Sequence, residues 1–241
     1  MIATLWLLVF AAGTQAMLVA PLIPQIALQL DVPAARLGSL VTAYSVAVGA
    51  FALVTGPISD RIGRRRVLLA GTALLAVALA AHGLADSYLA LLSVRGLAGV
   101  AGGVLNGAAV AYVGDYFPPE RRGRANGWVI SGFAAGQVAG IPVGTLLATV
   151  DFRVPFLLFA ALSVGALALV YAVLEQPDGV RSDLPLTPAG ALRGYGVLLG
   201  RREVAAATVV FFLMFGGSTL YLTFLPTWLV AGGVTAGGVA L

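Results

Sequence analysis

The chemistry of this chain is concentrated between Gly56 and Arg66, which read GPISDRIGRRR; from Asp60 onward, four arginines and one aspartate occupy seven residues. A carboxylate set among guanidinium groups makes ion pairs that form and break, and the two glycines have separate uses. Gly63 permits a tight turn with positive φ. Gly56 removes a side chain where another helix can approach closely. Asp60 is suited to accept hydrogen bonds from the N–H groups at a helix amino terminus, where the macrodipole favours negative charge. Arg64, Arg65 and Arg66 are also attracted to anionic headgroups and fix topology. That simpler role accounts for Arg66, and leaves Asp60, Gly56 and Gly63 unexplained.

Other polar residues stand inside long apolar runs. Arg95 lies about seven residues, roughly 10 Å of helical rise, from the outer end of its segment. It either snorkels to the outer interface or faces a cavity, where it binds an anionic group or tunes a carboxylate. Gln15, Tyr44, Asn106 and Gln137 either line a central cavity or hydrogen-bond a neighbouring helix. Gly132, Gly136, Gly140 and Gly144 recur every four residues and make a groove free of side chains, bent by Pro142. That groove serves static packing or a surface that slides against another bundle; a similar run at Gly99, Gly103 and Gly107 reads as plain packing. His82 is expected at the outer interface rather than in a proton relay. Asp115 and Glu120 are expected to pair with Arg121, Arg122 or Arg124.

The elements that must position these residues are dictated by composition. Of 241 residues, 60% are hydrophobic and 10% charged, with a mean hydropathy of +0.99. A soluble domain carries roughly a quarter charged residues, so much of this surface must face lipid. The net charge of +4 comes entirely from arginine over carboxylate, with no lysine. The arginines fall in short runs between apolar segments, a pattern of topology signals and not of a nucleic-acid face. The absence of cysteine excludes disulfides, thiol catalysis and thiolate metal sites, and the single histidine excludes a histidine metal cluster. The opening residues, MIATLWLLVFAAGTQAMLVAPLIPQ, lack the basic start of a signal peptide and continue apolar to Pro24, so they are expected to stay as a first span.

With about 20 apolar residues needed per crossing, spans are expected near 5–25, 37–58, 67–85, 88–113, 126–149, 154–174 and 204–230. Eleven arginines fall in the connections after spans two, four and six, and only Arg36 and Arg153 in the others. The arginine-rich side is therefore expected to be cytoplasmic, with the amino terminus. The stretch 175–203, the only long polar one, has the prolines and mixed charge of a linker. The chain thus divides into a six-span bundle over 1–174, a cytoplasmic linker over 175–203, and a seventh span opening a second bundle over 204–241. It has the look of a chain cut off before that bundle is complete.

At this point the residues resemble the major facilitator superfamily. Its loop signature G-x-x-x-D-R-x-G-R-R stands complete as Gly56, Asp60, Arg61, Gly63, Arg64 and Arg65, at the expected place between spans two and three. The span-four pattern R-x-x-x-G is met by Arg95 and Gly99, with Ala98 where glutamine is common. FPPERRGRANG after span four is similar to the family's next loop. The run GFAAGQVAGIPVGTLLA is similar to the glycine–proline motif of its antiporters, with Gly140-Ile141-Pro142 replacing an adjacent Gly-Pro. With LVTAYSVAVGA in span two, it most resembles the arabinose-efflux-permease and multidrug-efflux branch.

The resemblance implies an all-α membrane protein with two six-helix halves that rock about a midplane site. It implies that Asp60 docks on a helix of the second half while the arginines latch a cytoplasmic gate, and that Arg95 faces the cavity. The activity implied is proton-coupled efflux of small molecules, drugs or sugars, across a bacterial inner membrane. Protons, the substrate, the bilayer and the carboxy-terminal half would be the partners, with no cofactor. No phosphate-binding G-x-x-x-x-G-K-[ST], H-E-x-x-H or G-x-S-x-G pattern occurs, which speaks against ATP drive and enzymatic chemistry. A non-transporting module or scaffold on the same helices is the rival expectation.

Overall fold

The computed structural model describes residues 1–176 and 188–231, and the regular elements among them are all helical. Among the described residues, six helices are long and apolar enough to cross a membrane: α1 (Ile2–Leu30), α2 (Ala34–Ile62), α3 (Arg64–His82), α4 (Tyr88–Tyr116), α5 (Pro119–Ala148) and α6 (Val154–Val173). They correspond one for one to the first six expected spans. The ends differ. Helix α3 starts at Arg64 rather than 67, and α5 at Pro119 rather than 126, because hydropathy marks the stretch in lipid whereas arginine is a good helix former and lets the coil run on.

These helices form one compact unit, Met1–Leu184. Helix α4 lies between α2 and α3, α6 packs on α3 and α1, and α5 runs along α1. Leucines of α1 and α3, with Phe152, Phe156 and Phe159, fill the centre. Close approach of α4 to α2 rests on glycine: a β-carbon at Gly103 would come within 2.6 Å of the Val48 carbonyl oxygen. At the end opposite the signature loop, Arg153 donates to the Ala85 carbonyl at 2.9 Å and to Asp151 at 3.2 Å, tying two connections together.

The glycine row on α5 faces α1. A β-carbon at Gly132 would meet the Trp6 carbonyl oxygen at 2.6 Å, and one at Gly136 would meet Thr14 Oγ1 at 2.6 Å. Thr14 and Leu18 take the places beside Gly140 and Gly144. The groove is thus filled by a helix of its own bundle, the static packing that is one of the two readings of this row. Pro142 lacks an N–H, so the bond to the carbonyl four residues back cannot form. The helix accommodates this as a single π turn over Gly136–Gly140.

A second compact unit, Pro185–Leu241, contains α7 (Pro188–Leu199) and α8 (Arg202–Ala231). The expected seventh span, 204–230, lies within α8. Of the expected linker 175–203, residues 177–187 fall outside the described residues and Pro188–Leu199 is helical. The residues after Gly232 also fall outside the described residues.

Candidate functional site

The loop between α2 and α3 is a single residue, Gly63, with φ 99° and ψ 141°. This conformation is costly for any residue with a side chain. It turns the chain so sharply that Asp60, in the last turn of α2, and Arg64, the first residue of α3, come side by side. Arg64 is buried and forms an ion pair with Asp60; its Nε also donates to Asp115 Oδ2 at 2.7 Å. Asp115 ends α4, so one guanidinium joins three helix ends. The electrostatics are self-consistent. The carboxy-terminal ends of α2 and α4 carry partial negative charge and two carboxylates, and Arg64 supplies the compensating cation.

Asp115 was expected to pair with Arg121, Arg122 or Arg124, and the structure corrects this. Pro118 turns the chain into α5 and carries those arginines away, with Arg122 Nε donating to the Phe117 carbonyl at 2.8 Å. Packing of α3 on α4 brings Arg64 instead. Of the remaining signature residues, Arg65 donates from Nη2 to the Tyr171 carbonyl at 2.7 Å and lies 5.5 Å from the centre of the Tyr171 ring. Arg61 and Arg66 are exposed, and Gly56 is half-buried one turn before Asp60.

The second cluster is built around Arg95, which is fully buried. Its Nη1 donates to the backbone carbonyl of Gln15 at 3.2 Å and to Gln15 Oε1 at 3.1 Å. The guanidinium carbon lies 4.4 Å from the centre of the Tyr44 ring, and Gln15 Nε2 donates to the Tyr44 hydroxyl at 3.1 Å. One cation therefore joins α1, α2 and α4. It does not snorkel to the interface. Its Nε and Nη2 have no partner among the described residues. The carboxylates among those residues all lie at helix ends or in connections: Asp31, Asp60, Asp86, Asp115, Glu120, Asp151, Glu175 and Glu203.

Asn106 and Gln137 stand apart from this cluster, both exposed on the surface of the unit. His82 departs from the interfacial position expected of it. It is fully buried, stacked on Phe156 with ring centres 4.3 Å apart, its Nδ1 2.7 Å from the Ala78 carbonyl oxygen. The packing of α6 on α3 covers it. A surface groove of about 380 Å³ runs along α5, lined by Arg124, Gly127, Trp128 and Ser131. Ser131 Oγ accepts from Trp6 Nε1 at 3.1 Å.

The family model for the Major Facilitator Superfamily matches residues 5–241. Among curated proteins, the chain is 31% identical over 230 residues to the MFS-type transporter YceJ of Bacillus subtilis, covering 94% of this chain and 58% of the relative. It is 31% identical over 201 residues to the class C tetracycline resistance protein of Escherichia coli, covering 82% and 50%. A crystal structure of a peptide transporter, POT, in complex with sulfate superposes with a TM-score of 0.65 at 20% identity, covering 95% of this chain and 50% of that one, which shows the shared fold. The chain spans about half the length of the curated relatives it matches. Matched by the family model over nearly its whole length, it belongs to the Major Facilitator Superfamily, and is an integral, multi-pass membrane protein.

Proposed function

We propose that the complete protein is a secondary active transporter that exports small molecules in exchange for protons by alternating access. This chain would supply its amino-terminal bundle, the linker over 175–203 and the start of a second bundle. The observation that carries the reading is the Arg64 junction. A buried cation held by Asp60 and Asp115 ties three helix ends at one rim of the bundle. Such a pair, made in one conformation and altered in another, biases the equilibrium between them.

Asp60 is 40% exposed at its side chain, so it can exchange one partner for another as the rim opens. The eleven arginines in alternate connections support a cytoplasmic placement of that rim in a bacterial inner membrane. Arg95, buried with no hydrogen-bond partner for Nε and Nη2 and with the described carboxylates confined to helix ends and connections, supports a role in which an anionic group reaches it during the cycle. Similarity to a tetracycline resistance protein supports drugs over sugars as the substrate class.

The test is uptake into proteoliposomes of the complete protein across a panel of amphipathic drugs and sugars, with and without an imposed pH gradient. Gradient-driven accumulation of at least one compound is expected. Transport that ignores the gradient would overturn proton exchange, and no transport of any compound would overturn the reading as a whole.

A further inference from the structure

We infer that Gln176 is the amino-terminal cap of α3, supplied from outside the helix, and that it positions the signature arginines; the inference deepens the transport reading and rests on it for its consequence in the gate. A helix leaves its first N–H groups without partners, and the residue at its cap normally provides a side-chain oxygen for one of them. Here the cap position is Gly63, which has no side chain, and no side-chain bond from it exists. Arg65 N–H instead donates to Gln176 Oε1 at 3.2 Å, across 111 residues of sequence.

The neighbouring contacts hold Gln176 in place. Leu174 is buried, and the Tyr112 hydroxyl on α4 donates to the Glu175 carbonyl at 2.7 Å. Arg65 grips the end of α6 through the Tyr171 carbonyl. The segment leaving α6 is therefore held up to the residue that precedes Gln176. Gly63 then has a second use beyond its positive φ. A β-carbon there would lie 2.5 Å from Gln176 Oε1 and displace the amide from its bond. The signature glycine makes room for the cap that it cannot itself provide.

The first turn of α3 carries Arg64, so a frayed turn spoils the aim of Arg64 at Asp60 and Asp115. Gln176 touches no substrate; it acts through Arg64 and Arg65. Two variants of the complete protein separate its acceptor from its bulk. Gln176→Met removes the oxygen and keeps the length, whereas Gln176→Glu keeps an oxygen and adds a charge that a helix amino terminus favours.

Amide hydrogen exchange of the peptide containing Arg64 to Arg66 is expected to speed up about fivefold to tenfold in Gln176→Met, the scale of losing one cap. It should stay near the natural rate in Gln176→Glu. In proteoliposomes, Gln176→Met should lower turnover several-fold with KM little changed, and Gln176→Glu should restore it. Unchanged exchange in Gln176→Met, or equal acceleration in both variants, overturns the cap. If exchange responds as expected while the complete protein transports nothing, the cap stands and the transport reading fails. If exchange responds while turnover does not, the positioning role is overturned.

Discussion

The Arg64 junction shows what one residue contributes and how far its sequence reveals it. Asp60 and Arg64 both belong to the signature, four positions apart. Asp115 does not. It is 51 residues from Arg64 in sequence, and three nearer arginines compete for it on paper. Only the packing of α3 against α4 decides the matter, and a local pattern carries no record of that. Two carboxylates serving one guanidinium should behave as a unit. Asp60→Asn in the complete protein is expected to reduce turnover more than substrate affinity, read from initial rates over a range of substrate concentrations. Asp115→Asn should do the same, and the double variant should fall short of the sum by about 1–2 kcal/mol. Full additivity, or equal loss of turnover and affinity, would separate the two residues from a common gate. The Arg95 cluster was partly legible: Gln15 and Tyr44 were candidates, and they do meet Arg95. Asn106 and Gln137 were selected on the same ground of polarity within an apolar run, and the structure puts them on the surface of the unit. Polarity in a span says that a partner or an opening is needed, and not which.

At the scale of the helix, the four-residue spacing of glycines on α5 correctly announced a backbone-close contact and left its partner unstated. The contact is with α1, where Thr14 also satisfies its own hydroxyl on the Phe10 carbonyl at 2.8 Å. Backbone cannot yield to an added methyl as a flexible side chain can. Gly136→Ala would bring a β-carbon to 2.9 Å from the Phe10 carbonyl oxygen, and is expected to destabilise the bundle by about 1–3 kcal/mol. Gly165→Ala is the control, because nothing lies within 4 Å of a β-carbon there. Thermal unfolding in detergent should show a clear drop for the first and none for the second. Equal melting temperatures would mean that α1 and α5 stand further apart than described. The π turn beside this contact had a visible cause in Pro142, but a proline in a sequence permits a kink, a break or a widened turn. The choice among them is made by the fixed seat of α5 on α1.

For the whole molecule, composition was enough to place the chain in lipid, and hydropathy was enough to count its first six crossings. Orientation is a different matter, since it rests on the arginine asymmetry alone. These 241 residues contain no cysteine, so a single cysteine placed among them adds the only thiol of this chain for labelling. Arg66→Cys, beside the signature loop, is expected to react with a membrane-impermeant maleimide only after cells are permeabilised. Asp86→Cys, at the opposite rim, should react in intact cells. The reverse pattern would invert the protein and remove the cytoplasmic gate with it.

The seat of Arg95 also bears on how such a chain is made. Arg95 stands about 10 Å inside one end of α4, and a guanidinium within a lone helix costs up to about 3 kcal/mol on insertion scales, so α4 is less suited than its neighbours to rest in the bilayer by itself. Both residues that receive Arg95, Gln15 and Tyr44, belong to helices synthesised before it. By the time the ribosome delivers α4, its receptors are already waiting in the membrane, and the order of the gene is also a workable order of assembly.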